Sequence, residues 1–148
     1  MSAQGPTTAP PSGPLATAKR ISVRELFAAR AELLELELLN EGVSLERETD
    51  DPDVTSPGLA LAGHIARVPT GRMWVFGETE MTYIASLPEE EARGRLEAFF
   101  AFDVPAAFVT KKQRVPDFFL EVASAHGVPI LRSAKTTKDF YRLLKPYL

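Results

Sequence analysis

Few side chains in this sequence are suited to nucleophilic or acid–base chemistry, because it has two histidines and no cysteine. His64 lies in an apolar run, and a hydrolase that used it would take Asp53 or Glu78 as the partner carboxylate, but no nucleophile is placed beside the histidine. His126 lies in the last turn of a predicted helix, where an imidazolium favours the negative end of the helix dipole. We therefore interpret both histidines as structural.

Phosphate-binding motifs built on glycine are missing. None of the nine glycines is followed by lysine, so the loop that cradles a nucleotide triphosphate does not occur, and G-x-G-x-x-G is absent as well. Lys111, Lys112 and Arg114 follow a predicted strand at the edge where open α/β sheets bind ligands, so they are either an anion site or a solvated loop. We favour the loop.

Hydroxyl and acidic groups give two further candidates. Ser133, Thr136 and Thr137 lie among basic residues and either bind a phosphate at a helix N-terminus or cap the last helix, which we favour. An acidic group has the carboxylates that Ca²⁺ prefers but lacks the spacing of a calcium loop, so it is interpreted as a solvated turn. Its members are Glu48, Asp50, Asp51 and Asp53.

The segment "SPGLALAGHI", residues 56–65, combines turn-forming residues with an apolar run. Pro57 presets the first turn of a helix and Gly58 permits a close approach of the backbone, while Leu59, Leu61 and Ile65 are expected in the core. The simplest interpretation is a packed corner. A small binding niche at the start of the segment, around Ser56, is the alternative.

Composition sets the class of protein. The 148 residues are 45% hydrophobic and 25% charged, with a net charge of −3 and interspersed signs, which predicts one compact domain and disfavours nucleic-acid and membrane partners. Residues 1–20 are rich in Pro, Ala, Ser and Thr and are predicted to be a disordered tail rather than a secretion signal. The absence of cysteine agrees with a cytoplasmic location.

These candidates must be positioned by alternating strands and helices. A capping box of Ser22 and Glu25 predicts a first helix to about residue 30, followed by a strand at 34–40, an edge strand at 43–48 and a polar loop at 49–58. A strand at 72–77 and two helices, over 79–87 and from Pro88, come next. The strand–helix–strand unit at 106–110, 116–126 and 128–132 predicts parallel pairing, and an amphipathic helix with Phe140 and Leu144 ends the chain.

An aromatic cluster is more typical of a core than of a binding platform, although the neighbours Phe118 and Phe119 cannot both point fully inward, and one of them is a candidate to face a partner. The predicted class is an α/β fold, because the strand–helix–strand unit requires parallel pairing in at least part of the sheet.

Four strings carry a family resemblance: "DVTSPGLALAGHI", "RMWVFGETE", "VPILRSAKTT" and "LLKPYL". In this order and spacing the sequence resembles the N-terminal domain of bacterial HPr kinase/phosphorylase, over residues 21–148. The resemblance implies a three-layer α/β/α sandwich around a small, mainly parallel sheet, similar to the uridine-nucleotide-binding N-terminal domain of the Mur ligases. In the family an arginine usually precedes the Pro-Gly pair, where this chain has Ser56.

The resemblance also implies a role. In that family ATP, Mg²⁺ and the serine kinase/phosphorylase chemistry of carbon catabolite repression belong to a second domain, which this sequence lacks. It therefore implies a non-catalytic regulatory or assembly domain without a cofactor. Such a domain forms a homo-oligomer and contacts a catalytic domain where one is fused to it. Its expected contact with HPr, a protein of the phosphotransferase system, is through the assembled enzyme. The alternative is a stand-alone sensor of a nucleotide or sugar phosphate. Candidate ligand or interface residues are Ser56, Pro57, Gly58, His64, Arg72, Glu78, Arg132, Thr136 and Thr137.

Overall fold

The computed structural model describes residues 20–63 and 70–148, except for the side chain of Leu59. Its main sheet has five strands in the order β2-β7-β6-β5-β4, of which β4 to β7 are parallel and β2 is antiparallel to β7. A separate antiparallel pair is formed by β1 and β3. The strands are β1 Ile21–Ser22, β2 Leu36–Leu38, β3 Glu48–Thr49, β4 Val54–Thr55, β5 Met73–Phe76, β6 Ala107–Val109 and β7 Ile130–Ser133.

Helices cover both faces of the main sheet. The helices are α1 Val23–Leu34, α2 Glu78–Ser86, α3 Glu89–Phe100, α4 Asp117–Ala125 and α5 Thr137–Leu144, with 3-10 turns at Gly58–Ala60 and Lys145–Tyr147. Helices α2, α3 and α4 share one hydrophobic core with the sheet, and α1 and α5 share the other. The predicted three-layer α/β/α sandwich with a mainly parallel sheet is confirmed.

Alternation along β5 divides the two cores. Trp74 and Phe76 point to the side of α3 and α4, whereas Met73 and Val75 point to the side of α1 and α5. The Phe76 ring meets the rings of Phe99, at 5.8 Å between centroids, and Phe119, at 5.2 Å, both edge to face. Such contacts add about 0.5–1.5 kcal/mol each beyond the area that they bury, so the geometry of the rings stabilises this core in addition to their burial.

Several local signals act as predicted. Ser22 caps α1 by accepting from the Glu25 N–H, and the Glu25 carboxylate accepts from the Ser22 N–H, which completes the capping box. Helix α4 connects β6 to β7, and the two strands pair in parallel. Gly127 follows α4 with φ of 70°, a left-handed conformation that glycine adopts without strain.

The first half of the chain needs three corrections. Helix α1 runs to Leu34, four residues beyond the predicted end. It stops there because Glu35 takes the left-handed conformation and its N–H donates to the carbonyls of the last turn. The edge strand predicted at 43–48 overlaps the structure only at Glu48, the first residue of the short β3, which pairs with β1 outside the main sheet. The polar loop predicted at 49–58 contains β4, whose Val54 pairs with Met73.

Other expectations are resolved by burial. Phe119 is fully buried, and Phe118 is half-buried with the Arg93 guanidinium above its ring. Leu61 is buried as predicted, whereas the Leu59 side chain and Ile65 lie outside what the structure describes. So does the predicted tail, except for its last residue. Within residues 20–63 and 70–148, no helix has the length and apolar character needed to cross a membrane.

Candidate functional site

Four parallel strands end at one edge of the main sheet, which we call the carboxyl edge. Ser56, Gly77, Thr110 and Ala134 directly follow β4, β5, β6 and β7. Ligands of open α/β sheets bind in crevices at this edge. The opposite edge, where these strands begin, is called the amino edge.

The Pro-Gly corner lies at the carboxyl edge and is tied to the last helix. The Ser56 hydroxyl is 3.1 Å from the Tyr141 hydroxyl on α5. Pro57 is buried, and its carbonyl accepts from the Ala60 N–H to close the 3-10 turn. Gly58 has φ of 50°, which disfavours a side chain there. The corner is therefore held on both sides, by α5 and by its own turn.

Gly77 marks a close approach between the end of β5 and the start of α5. A Cβ atom at this position would lie 3.0 Å from Thr137 Oγ1, tighter than ordinary packing. Thr137 Oγ1 is 2.6 Å from Thr110 Oγ1, so the ends of β5, β6 and the start of α5 meet at these hydroxyls. The Gly77 N–H donates to Glu80 Oε1 at 2.9 Å.

The basic loop after β6 is fixed to its neighbours. Lys111 Nζ is 3.1 Å from Glu78 Oε2 in an exposed ion pair. Lys111 and Lys112 both have positive φ, of 60° and 49°, and their N–H groups donate to the carbonyls of Lys135 and Ser133. A left-handed conformation in two successive lysines costs free energy, and the two hydrogen bonds offset that cost.

The hydroxyls before α5 have local partners. Thr136 Oγ1 accepts from the Asp139 N–H and caps α5. Ser133 is fully buried, donates to the Leu34 carbonyl and accepts from the Lys135 N–H. The capping interpretation therefore holds for Thr136, whereas the Ser133 hydroxyl has partners outside α5.

Two candidate arginines lie away from the corner. Arg72 is at the amino edge, where its guanidinium is 2.9 Å from Asp51 and 3.7 Å from Asp53. Arg132 is paired with Glu37 of β2 at 3.2 Å and also donates to the Gln113 carbonyl. Neither guanidinium reaches the Pro-Gly corner in these contacts.

The remaining sequence candidates are acids and histidines. Glu48 and Asp50 pair with Arg20. No group of three or more His, Cys, Asp or Glu side chains that could hold a metal ion occurs within residues 20–63 and 70–148. His126 is the C-cap of α4, with Nε2 3.4 Å from Glu97 Oε1, and His64 lies outside the described residues.

A cavity of about 320 Å³ opens at the carboxyl edge, between the 3-10 turn after β4 and the start of α2. We call it the Glu80 cavity, and its lining residues are Gly58, Leu61, Ala62, Thr79, Glu80 and Tyr83. Glu80 is buried although it is ionisable. Of the candidate ligand or interface residues that the structure describes, Gly58 is the one that lines the cavity.

Sequence reasoning missed Glu80, Tyr141 and Thr110. Glu80 sits in the first turn of α2, where acids are common because the helix dipole favours them, so its type gives no sign of burial. Burial raises the pKa of the Tyr141 hydroxyl above 10.0, the Ser56 hydrogen bond acts in the opposite direction, and the Glu80 carboxylate adds to the rise. The spacing of Glu80 from Gly77 is the one local signal, since a glutamate at N3 can accept from the N-cap N–H.

The layers and the carboxyl edge define an open α/β sandwich domain of small size. More particularly, the chain belongs to the family described as HPr Serine kinase N terminus, whose model matches residues 21–148. This confirms the family that the four strings predict.

Curated relatives agree with the family. The chain is 35% identical over 117 residues to the HPr kinase/phosphorylase of Bacillus mycoides and 33% identical over 117 residues to that of Bacillus cereus. Each match covers 79% of this chain and 38% of the relative. The chain thus spans well under half the length of these relatives.

A solved structure shares the fold. It is that of the CBS and DRTGG domains of the regulatory region of Clostridium perfringens pyrophosphatase, complexed with its activator, diadenosine tetraphosphate. The match has a TM-score of 0.54 and 13% identity, and covers 80% of this chain and 45% of that one. At this identity the likeness concerns the fold alone.

Proposed function

We propose that this chain is a regulatory and assembly domain of an HPr kinase/phosphorylase system and transfers no phosphate by itself. The observation that carries the proposal is family membership over residues 21–148 combined with a sequence in which no glycine precedes a lysine. Phosphoryl transfer needs a cradle of backbone N–H groups or an equivalent clamp of cations around the phosphates and their Mg²⁺.

The contacts at the carboxyl edge support the same proposal. Its hydroxyls pair with one another, Ser56 with Tyr141 and Thr110 with Thr137. Lys111 is engaged by Glu78. These groups stabilise the domain and are already used in contacts within it, which suits a folded module that docks on other parts of an enzyme.

Phosphotransfer by the purified chain is the test. The chain is incubated with ATP, Mg²⁺ and HPr, and phosphoserine on HPr is measured by mass spectrometry. We expect none above the enzyme-free blank, while the full-length Bacillus mycoides relative serves as the positive control. Phosphoserine formed by the chain alone would overturn the proposal.

The assembly part has its own measurement. Sedimentation equilibrium over a range of concentrations should show self-association of the chain, as the proposed homo-oligomer requires. A monomer at every concentration would remove the assembly role and leave the phosphotransfer result unaffected.

The alternative of a sensor for a nucleotide or sugar phosphate has less support. Glu80 lines the cavity at the carboxyl edge, and there is no lysine or arginine among the lining residues that the structure describes. Phosphate sites use cations or free backbone N–H groups, and a carboxylate repels the ligand.

A further inference from the structure

The Glu80 cavity has a size and lining typical of a small-molecule site. At about 320 Å³ it lies within the range of volumes found for ligand pockets, and Leu61, Ala62 and Tyr83 give it an apolar wall. Among the described lining residues, the polar side-chain groups are the Thr79 hydroxyl, the Glu80 carboxylate and the Tyr83 hydroxyl. Pockets of this kind bind ligands with an apolar body and one or two polar groups.

Glu80 is the unusual member of this lining. It is only 7% exposed, and one oxygen of its carboxylate accepts from the Gly77 N–H. Among the residues that the structure describes, no lysine, arginine or histidine is paired with it. The neighbouring Glu78 is exposed and paired with Lys111. Two glutamates in the same turn of α2 therefore differ in burial and in partner.

A buried carboxylate without a cation is costly. Buried charges in proteins are paired or hydrogen-bonded, because the loss of water around an ion is not repaid otherwise. The Gly77 N–H and the positive end of α2 offset part of this cost for Glu80. A positive group entering the cavity would supply the remaining interaction.

We propose that the Glu80 cavity binds a small organic cation, with its ammonium group at the Glu80 carboxylate and its apolar body against Leu61 and Ala62. The Tyr83 ring lines the same cavity and is a second source of attraction for a positive charge. The site selects for charge, since a phosphate in the same place would be repelled by Glu80. This inference goes beyond the regulatory function and does not depend on it.

The test uses three probes that share a benzene ring and differ in charge: benzylamine, benzyl alcohol and phenyl phosphate. Each is titrated into the full chain to about 10 mM, the range in which fragments of this size are expected to bind, while backbone amide signals are followed by NMR. Benzylamine should shift the signals of Gly58, Gly77 and Glu80 in a saturable way. Benzyl alcohol should bind more weakly, and phenyl phosphate should leave these signals unchanged.

Two variants separate charge from structure. Glu80→Gln keeps an oxygen for the Gly77 N–H and removes the charge, so it should weaken benzylamine binding by about tenfold or more. Glu78→Gln is the matched control, because it removes a carboxylate from the same turn outside the cavity, and affinity should change by less than about twofold. Ala62→Leu fills the cavity from its apolar wall and should abolish binding while Glu80 stays intact.

Several results would overturn the proposal. They are no saturable shift with benzylamine, equal binding by Glu80→Gln and the wild type, or phenyl phosphate shifting the same signals. Thermal unfolding of each variant identifies loss of folding, and if Glu80→Gln unfolds, the Ala62→Leu result decides. None of these outcomes bears on phosphoserine formation, so failure here is distinguishable from failure of the proposed function.

Discussion

The two edges of the main sheet use different chemistry. At the amino edge, loops are held by charged groups that neutralise each other, as in Arg72 with Asp51 and Arg47 with Asp103. At the carboxyl edge the ion pair of Lys111 with Glu78 is exposed, and the inner contacts are between neutral hydroxyls and around Gly77. One buried carboxylate there, Glu80, is left without a cation among the described residues.

This difference indicates which edge is available for a ligand. Ion pairs that are complete within the chain have little to gain from an added charged group. An unpaired buried carboxylate beside a cavity does gain from one. The amino edge therefore stabilises the domain, and the carboxyl edge combines stabilisation with a binding site.

The largest effect is expected at the amino edge, at Asn40. Its buried side chain donates to the Val128 carbonyl and the Ser124 hydroxyl and accepts from the Ile130 N–H. Asn40→Ala should lower the free energy of unfolding by about 3 kcal/mol, because buried backbone groups lose their partners. Urea unfolding measures this loss, and Ser124→Ala, which removes one of the three bonds, is the control. A loss no larger than that of the control would contradict the assignment.

Gly77→Ala tests the close approach at the carboxyl edge. The added methyl group would crowd Thr137 Oγ1 and should cost about 1.5 kcal/mol of unfolding free energy. The same substitution should cost less in a Thr137→Ala background, where the crowded atom is gone. Equal costs in both backgrounds would show that the two residues do not touch.

Arg72→Met tests whether the charges of the amino edge act through an ion pair. Arg72 and Asp51 are each about one-fifth exposed, and we expect a loss of about 1 kcal/mol that shrinks at high salt. Arg142→Met, which affects an exposed pair with Asp139, should change stability much less. A loss at Arg72 that is independent of salt would point to packing by its aliphatic stem instead.

Tyr141→Phe should give the smallest effect, about 0.5 kcal/mol at neutral pH, through loss of the Ser56 hydrogen bond. The raised pKa of Tyr141 means that the folded state favours the neutral phenol. Its contribution is therefore fully present below pH 10 and is lost as pH rises from 10 through the folded-state pKa. The stability difference between wild type and variant should shrink over that interval, and a difference that grows there would contradict the shift.

Local signals in the sequence predict much of the fold. The Ser22 capping box, Gly127 after α4 and the strand–helix–strand unit depend on residues close in sequence, and all three occur in the structure. Strand β4 was missed because it has two residues and exists through pairing with β5. Two residues are too few to show the alternation of apolar and polar residues that predicts a strand.

The site is less predictable, because its contacts join distant parts of the chain. The Pro-Gly corner and Gly58 were identified from turn chemistry, but Ser56 meets Tyr141 across 85 positions. The spacing of Glu80 from Gly77 is a signal for its contact with the N-cap N–H, but neither its residue type nor this spacing predicts its burial. Arg72 and Arg132 are among the candidate ligand or interface residues, and the structure places them in separate ion pairs.

The central claim is that the carboxyl edge of this domain is not a site of phosphate chemistry. The most direct test is to titrate the chain with ATP and Mg²⁺ and to follow the amide signals of Gly58, Gly77 and Glu80 by NMR. The account predicts no saturable change at these residues. A saturable shift that requires both ATP and Mg²⁺ would contradict it.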